Sequence, residues 1–302
     1  MTGRYGAVRF AALGDSLTEG VGDPVGSGLR GWASLLADGL VPRGDGGEGE
    51  EGEGAGNAVE FRNFAVSGAQ TRDVLEKQLP AALAFRPGLA SVVVGVNDTL
   101  RCTFDIHEVA GRLDAVCAAL TEGGALLLTA CLPDPGTMLG VPGALARPLA
   151  RRQRAVNAVV HVLSERYGAI HLHAAEGDWV TDRAMWSADR LHPGERGHRV
   201  LAARFHALLA AAGRTSGPAP GREPEQPAPT RSASVLWLAT AGTGWVARRC
   251  TDLLPQLLRL AAEEVQHRAR GTSARLDLGA SHAVAAALAA LPAPASAEAG
   301  AA

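Results

Sequence analysis

An α/β fold built on a five-stranded parallel sheet is predicted by two features of this chain. Between Val8 and Ala212 short apolar runs alternate with longer amphipathic stretches, the spacing of βαβ units. Runs such as Ser91-Val92-Val93-Val94-Gly95 and Ala125-Leu126-Leu127-Leu128 suit strands covered on both faces, and their brevity and flanking glycines favour strands over turns of buried helix.

The elements follow in order. Strands are expected at Val8–Leu13, Val59–Ala65, Ser91–Gly95, Ala125–Ala130 and Ala169–His173. Helices are expected after each in turn, at Gly31–Leu40, Thr71–Phe85, Ile106–Leu120, Leu149–Tyr167 and Gly194–Ala212, so residues 1–212 read as one domain. Within it, the stretch from Gly44 to Gly54 offers no apolar residue to bury and repeats one charge, so residues 43–57 are expected to be a disordered acidic insertion. Residues 213–233 are rich in Pro, Gly and Arg and read as a linker; 234–290 read as an amphipathic helical extension and 291–302 as a disordered tail.

In the extension Leu253, Leu254, Leu257, Leu258 and Ala261 share one helical face, with Gln256, Arg259 and Glu263 elsewhere. The apolar stretch before Arg248 is too short and glycine-broken to span a membrane. Trp237 and Trp245 with Arg248, Arg249 and Arg259 permit peripheral membrane contact. The expectation, though, is a helix docked on the body or on a second subunit as a homodimer, because apolar stripes most often pack on protein.

Composition narrows the function classes. A chain of 302 residues with 47% hydrophobic content can bury an ample core. A net charge of −2 with dispersed arginines gives no reason to expect nucleic acid, so the partner is expected to be small or neutral. The N-terminus enters the first strand without an apolar leader, which points to the cytoplasm. Cys102, Cys117, Cys131 and Cys250 have no Cys-x-x-Cys spacing and are expected to be buried free thiols, arguing neither for zinc nor for secretion.

One set of residues carries chemistry. Gly14-Asp15-Ser16-Leu17 follows the first strand, and Asp189 stands three residues before His192 after the last. A serine hydroxyl is a weak nucleophile at neutral pH and needs an imidazole to take its proton and a carboxylate to hold that imidazole in the right tautomer. Val66-Ser67-Gly68-Ala69 and Gly95-Val96-Asn97-Asp98 follow the second and third strands and supply candidates for an oxyanion hole. Singly, each is an ordinary turn or cap; together they emerge on the carboxyl edge of the sheet, where open parallel sheets bind ligands.

In this order the four segments resemble the GDSL esterase/lipase group, the SGNH hydrolases named for Ser, Gly, Asn and His. Gly14-Asp15-Ser16-Leu17-Thr18 is similar to the nucleophile block, Gly68 falls at the glycine, Gly95-Val96-Asn97-Asp98 matches Gly-x-Asn-Asp, and Asp189-Arg190-Leu191-His192-Pro193 matches Asp-x-x-His. The resemblance covers about residues 8–212. It implies a three-layer α/β/α fold of flavodoxin-like kind, hydrolysis of a small-molecule or lipid ester, and no cofactor. Departures are the acidic insertion, the missing leader, Arg190 inside the last block and everything after Gly213.

The roles expected are Ser16 as nucleophile, His192 as general base and then acid, and Asp189 as its orienting carboxylate, with the backbone N–H groups of Ser16 and Gly68 and the Asn97 amide as oxyanion donors. Asp15 is expected to fix the turn, and Asp98 to cap the segment that follows it. Thr18 stands where the Gly-x-Ser-x-Gly elbow would need glycine, which sets the general α/β-hydrolase aside.

The alternatives are a non-catalytic binding module on the same fold and a metal-dependent phosphoesterase, for which no Asp-x-His opening or Asn-His-Asp segment is present. His171, His173 and His198 are read as ordinary half-buried or helix-surface histidines, since no cysteine or carboxylate stands at ligand spacing beside them; no metal is expected. Trp186 reads equally as a pocket wall or a loop anchor, and Asp134 as a turn former that lines the site only if its loop turns inward.

Overall fold

The computed structural model describes residues 8–40, 59–227 and 254–293. The acidic insertion, Trp237, Trp245, Arg248, Arg249, Cys250 and residues 294–302 lie outside the described residues. Five parallel strands, β1 (Arg9–Gly14), β2 (Glu60–Asn63), β3 (Leu89–Val93), β4 (Leu126–Cys131) and β5 (Ile170–His173), form one sheet in the order β2-β1-β3-β4-β5. The order reverses between β1 and β3, which opens a crevice at their carboxyl ends.

Side chains alternate across the strands, so Phe10 and Ala12 enter one layer and Ala11 and Leu13 the other. On the first face lie α2 (Gly31–Gly39) and α8 (Glu195–Ala211), joined by Trp32 stacked on Phe205 at 4.7 Å between ring centroids. The opposite face carries α3 (71–85), α5 (Ile106–Glu122) and α7 (Gly143–Arg166), which bury Val74, Val109, Val116 and Val159 against the sheet. Short helices α1 (Ser16–Glu19), α4 (Val96–Thr99) and α6 (Pro135–Leu139) sit at the carboxyl edge. The fold is a three-layer α/β/α sandwich, to which α9 (Leu254–Ala269) and α10 (Ser273–Ala289) add a helical layer packed on α7 and α5.

Several local expectations change. Helix α3 is not uniform: Thr71–Asp73 passes through a π turn, Val74–Gln78, before Leu79–Phe85. Pro80 lacks an N–H and its ring crowds the carbonyl four residues back, and the preceding turn widens so that the Leu79 N–H reaches Val74 O. Strand β3 ends at Val93, before Gly95 turns the chain with φ +128°. Helix α7 begins at Gly143 and keeps Pro148 inside it. A small hairpin, Pro24–Val25 with Gly28–Leu29, adds a second sheet.

The stretch read as a linker is docked as far as residue 227. Glu195 accepts the backbone N–H groups of Glu225 and Gln226 at 2.7 and 2.8 Å, Arg199 donates to Gly221 O at 3.0 Å, and Glu225 pairs with Arg30 and Arg199. The docked part of this Pro-, Gly- and Arg-rich stretch is thus held by backbone hydrogen bonds and ion pairs.

Cys117 and Cys131 are buried free thiols, but Cys102 is exposed in the turn after α4, where its backbone N–H donates to Gln256. In α9 the inward residues are Leu257, Leu260 and Glu264, the last paired with Arg151; Leu258, expected inward, is 60% exposed. Among the described residues no helix is long and apolar enough to cross a membrane.

Candidate active site

Ser16, Gly68 and Asn97 follow their strands within a few residues, so the sheet register fixes where they emerge. Gly14 closes β1, and a Cβ there would meet Val93 O at 2.4 Å, which makes glycine the residue that lets β1 and β3 approach. Asp15 then caps α1, its Oδ1 accepting the Leu17 N–H at 3.1 Å, and Ser16 is the first residue of that helix.

From the far end of the chain, the loop after β5 returns His192 to this point. Its Nε2 lies 2.8 Å from Ser16 Oγ and its Nδ1 2.6 Å from Asp189 Oδ2. The other oxygen, Oδ1, accepts Ser187 Oγ–H at 2.6 Å and the backbone N–H groups of Leu191 and His192 at 2.9 and 3.0 Å. These bonds, the imidazole first, overcome desolvation and hold the Asp189 carboxyl down at about 2. It is therefore ionised throughout the neutral range and able to keep the proton on Nδ1, leaving Nε2 to accept from Ser16.

Gly68 and Asn97 line the same cavity as Ser16. Gly68 sits at φ +82°, a left-handed conformation that glycine adopts without strain. The Asn97 amide nitrogen donates to Ala69 O at 3.1 Å and to Asp15 Oδ2 at 3.3 Å. The longer of the two is the hydrogen most readily given to an incoming oxyanion. Burial pushes the Asp15 carboxyl up to about 6, against lowering by the Leu17 N–H and His192. Asp98 departs from its expected role: it caps α3, not the segment after it, accepting both the backbone N–H and the hydroxyl of Thr71.

The cavity holds about 430 Å³ and is walled by Leu17, Leu100, Leu132, Met138, Leu139 and Leu257, among others. Trp186 both lines it and anchors the loop, donating to Val180 O at 3.0 Å and stacking on Trp179 at 5.0 Å. Asp134 caps α6 through the Gly136 and Thr137 N–H groups and is not part of the wall.

Sequence reasoning missed two participants in the site and one cluster beyond it. Gln78, from the π turn, brackets Gly14, accepting its N–H at 2.9 Å and donating to its carbonyl at 2.8 Å. Leu257 brings the extension into the pocket wall. Cys131 and His161 join His171 and His173 in a cluster outside the cavity, whereas His198 is a satisfied core histidine, accepting the Trp32 N–H at Nδ1 and donating to Val21 O from Nε2.

A serine, an imidazole and a carboxylate thus stand in hydrogen-bonded series at the carboxyl edge of a parallel sheet, and the family match supplies the class, the serine ester hydrolases. The GDSL-like Lipase/Acylhydrolase family matches residues 12–200, and the chain belongs to that family. Its substrate is accordingly a small-molecule ester. No curated protein sequence matches the chain.

Among solved structures the chain is similar to an acetylxylan esterase from Geobacillus stearothermophilus, with 18% identity, TM-score 0.53, and coverage of 68% of this chain and 94% of that one. A lipase/acylhydrolase from Enterococcus faecalis shows 16% identity and TM-score 0.51 over 70% of this chain and 98% of that one. At these identities the likeness is one of fold. Helices α9 and α10 lie beyond the family match.

Proposed function

We propose that Ser16 is the nucleophile, that His192 takes its proton and returns it to the leaving alcohol, and that Asp189 holds the ring and offsets its charge. The observation that carries this reading is the unbroken series Ser16 Oγ, His192 Nε2, His192 Nδ1, Asp189 Oδ2 at 2.8 and 2.6 Å on the floor of an apolar cavity. The tetrahedral oxyanion is received by the backbone N–H groups of Ser16 and Gly68 and by the Asn97 amide.

The substrate we propose is a carboxylic ester with an apolar acyl chain, lipid-derived or free. Nine aliphatic or thioether side chains wall a space of about 430 Å³ beside the serine. A binding module would not need the acceptor nitrogen of an imidazole aimed at a hydroxyl. Free thiols at Cys102, Cys117 and Cys131 suit a reducing compartment, the cytoplasm we propose.

For the partner surface, we propose the outer face of α9. Leu258 and Val265, seven residues apart and thus on one face, are 60% and 54% exposed, and they suit a second copy of the chain or a lipid surface. Size-exclusion chromatography and vesicle co-sedimentation of Leu258→Glu against wild type separate the two, and no change in either measurement removes this surface from the reading.

The test of the chemistry is Ser16→Ala with a panel of aryl esters and a fluorophosphonate probe. Turnover and labelling should both vanish while the fold persists, because a small hydroxyl contributes little stability. Full activity in the variant, or labelling at another serine, would overturn the assignment.

A further inference from the structure

One cluster of ligating side chains has no part in ester hydrolysis. Cys131 ends β4, His171 and His173 stand on β5, and His161 projects from α7; one ligand atom from each lies within 4.8 Å of all the others. Parallel pairing makes this set, since β4 and β5 register Thr129 with His171 and Cys131 with His173. The three imidazoles crowd together with ring centroids 4.6 to 5.1 Å apart.

The polar inventory is unusual for a packed interior. His161 Nε2 and His171 Nε2 are buried without a hydrogen-bond partner, a state that costs about 1–3 kcal/mol for each group in ordinary proteins. The other nitrogen of His171 is held: Nδ1 lies 2.9 Å from Thr129 Oγ1 and 3.1 Å from Ser164 Oγ. A hydroxyl pair fixing one ring nitrogen so that the second points into a ligand cluster is the outer shell that metal-bound histidines carry. His173 is exposed at the rim, which gives an ion a way in.

We propose that Cys131, His161, His171 and His173 form a binding site for one divalent late first-row transition metal ion, of which zinc is the best fit. Three imidazoles and one thiolate suit tetrahedral zinc. With metal–nitrogen bonds of about 2.0 Å and a metal–sulfur bond of about 2.3 Å, such a tetrahedron has edges of about 3.3–3.5 Å, so the four side chains close by about 1 Å, a rotamer adjustment rather than a backbone shift.

Metal binding takes neutral imidazoles from His161, His171 and His173 and the thiolate of Cys131. Binding therefore forms one metal–sulfur and three metal–nitrogen bonds and releases one proton, from Cys131, to the buffer. None of the four ligands lines the cavity at Ser16, so the ion acts as a clasp joining β4, β5 and α7 and not as a reagent. Leu132 and Pro133, the residues after Cys131, do line that cavity, and the clasp thereby steadies one of its walls.

The experiment uses full-length untagged protein, stripped with chelator and titrated with Co²⁺ and then Zn²⁺. One equivalent of Co²⁺ should bind per chain with tetrahedral visible bands and a thiolate charge-transfer band, Zn²⁺ should displace it, and Tm should rise with either metal. Cys131→Ser should lose the charge-transfer band. His173→Ala, at an exposed position that threatens the fold least, should weaken binding by at least about tenfold, while Ser164→Ala should weaken it by about 10–100-fold through the outer shell.

No stoichiometric uptake by wild type, or uptake of equal affinity in His161→Ala and His173→Ala, would overturn the proposal. Ester hydrolysis by the metal-free protein is unaffected by either outcome, so the two proposals stand or fall separately.

Discussion

Asp189 holds His192 by both its ring and its main chain, with Oδ2 at 2.6 Å from Nδ1 and Oδ1 accepting the His192 N–H at 3.0 Å. The intervening turn puts Arg190 at φ +59°, a left-handed conformation that a side chain other than glycine adopts at a cost of about 1–2 kcal/mol. The carboxylate thus fixes a turn as well as a tautomer. Asp189→Asn should lower kcat by about 10³–10⁴, because an amide nitrogen facing Nδ1 favours the wrong tautomer. A loss under tenfold in steady-state assays would remove Asp189 from the series.

Asn97→Ala should reduce kcat by about 10²–10³ with a smaller change in KM, the signature of a donor that acts chiefly in the transition state. The assay uses short acyl esters, for which chemistry limits turnover. An unchanged kcat would leave Asn97 as a tether between Ala69 and Asp15.

Gln78→Ala should cost about 2–6 kcal/mol in urea unfolding, since the buried N–H and carbonyl of Gly14 each lose a partner worth about 1–3 kcal/mol. A cost under 1 kcal/mol would mean that water replaces the amide.

Stability should depend on pH through Asp15. Its folded value is about 6 against 3.8 unfolded, so the native state binds the extra proton between those values. The stabilisation this confers is complete below pH 3.8 and lost as pH rises through 6. Relative to Asp15→Asn, which does not titrate, wild type should therefore lose about 2 kcal/mol between pH 4 and pH 7. Denaturant melts at both pH values check it, and a difference independent of pH would refute it.

Leu257→Ala should spare acetyl esters and reduce kcat/KM for longer acyl chains by about 10–200-fold, the discrimination that a lost methylene contact supplies. The chain truncated after Gly213 should likewise retain acetyl-ester turnover but melt lower, because Leu260 and Ala287 no longer cover the outer faces of α7 and α5. Equal chain-length profiles for all three proteins would take α9 out of the pocket.

The sheet and the site segments at Ser16 and Asn97 were legible because each sits a few residues beyond an apolar strand, so local pattern and sheet polarity suffice to bring them to one edge, whereas Asp189 and His192, on a long loop after the last strand, were legible through their own spacing. Contacts made across elements were not. Cys131 meets His173 only through parallel register, and His161 joins them only because α7 presents that face, so ligand spacing along the chain gave no sign of the cluster. Pro148 disguised the first turns of α7, and the ionic docking of residues 214–227 left no apolar pattern to read.

The widened turn in α3 has a consequence for the distance between two parts of the site. At its start α3 is tied by Thr71 to Asp98, beside Asn97; at the end of the π turn it is tied by Gln78 to Gly14, two residues before Ser16. Successive helical residues are about 100° apart round the axis, so removing one residue between these ties would swing the Gln78 amide away from β1 while Thr71 kept its hold on Asp98. The π turn works as a phase shifter that lets one helix serve two strands. Nucleophile and oxyanion donor are thereby spaced by a rod that contributes no side chain to the cavity between them.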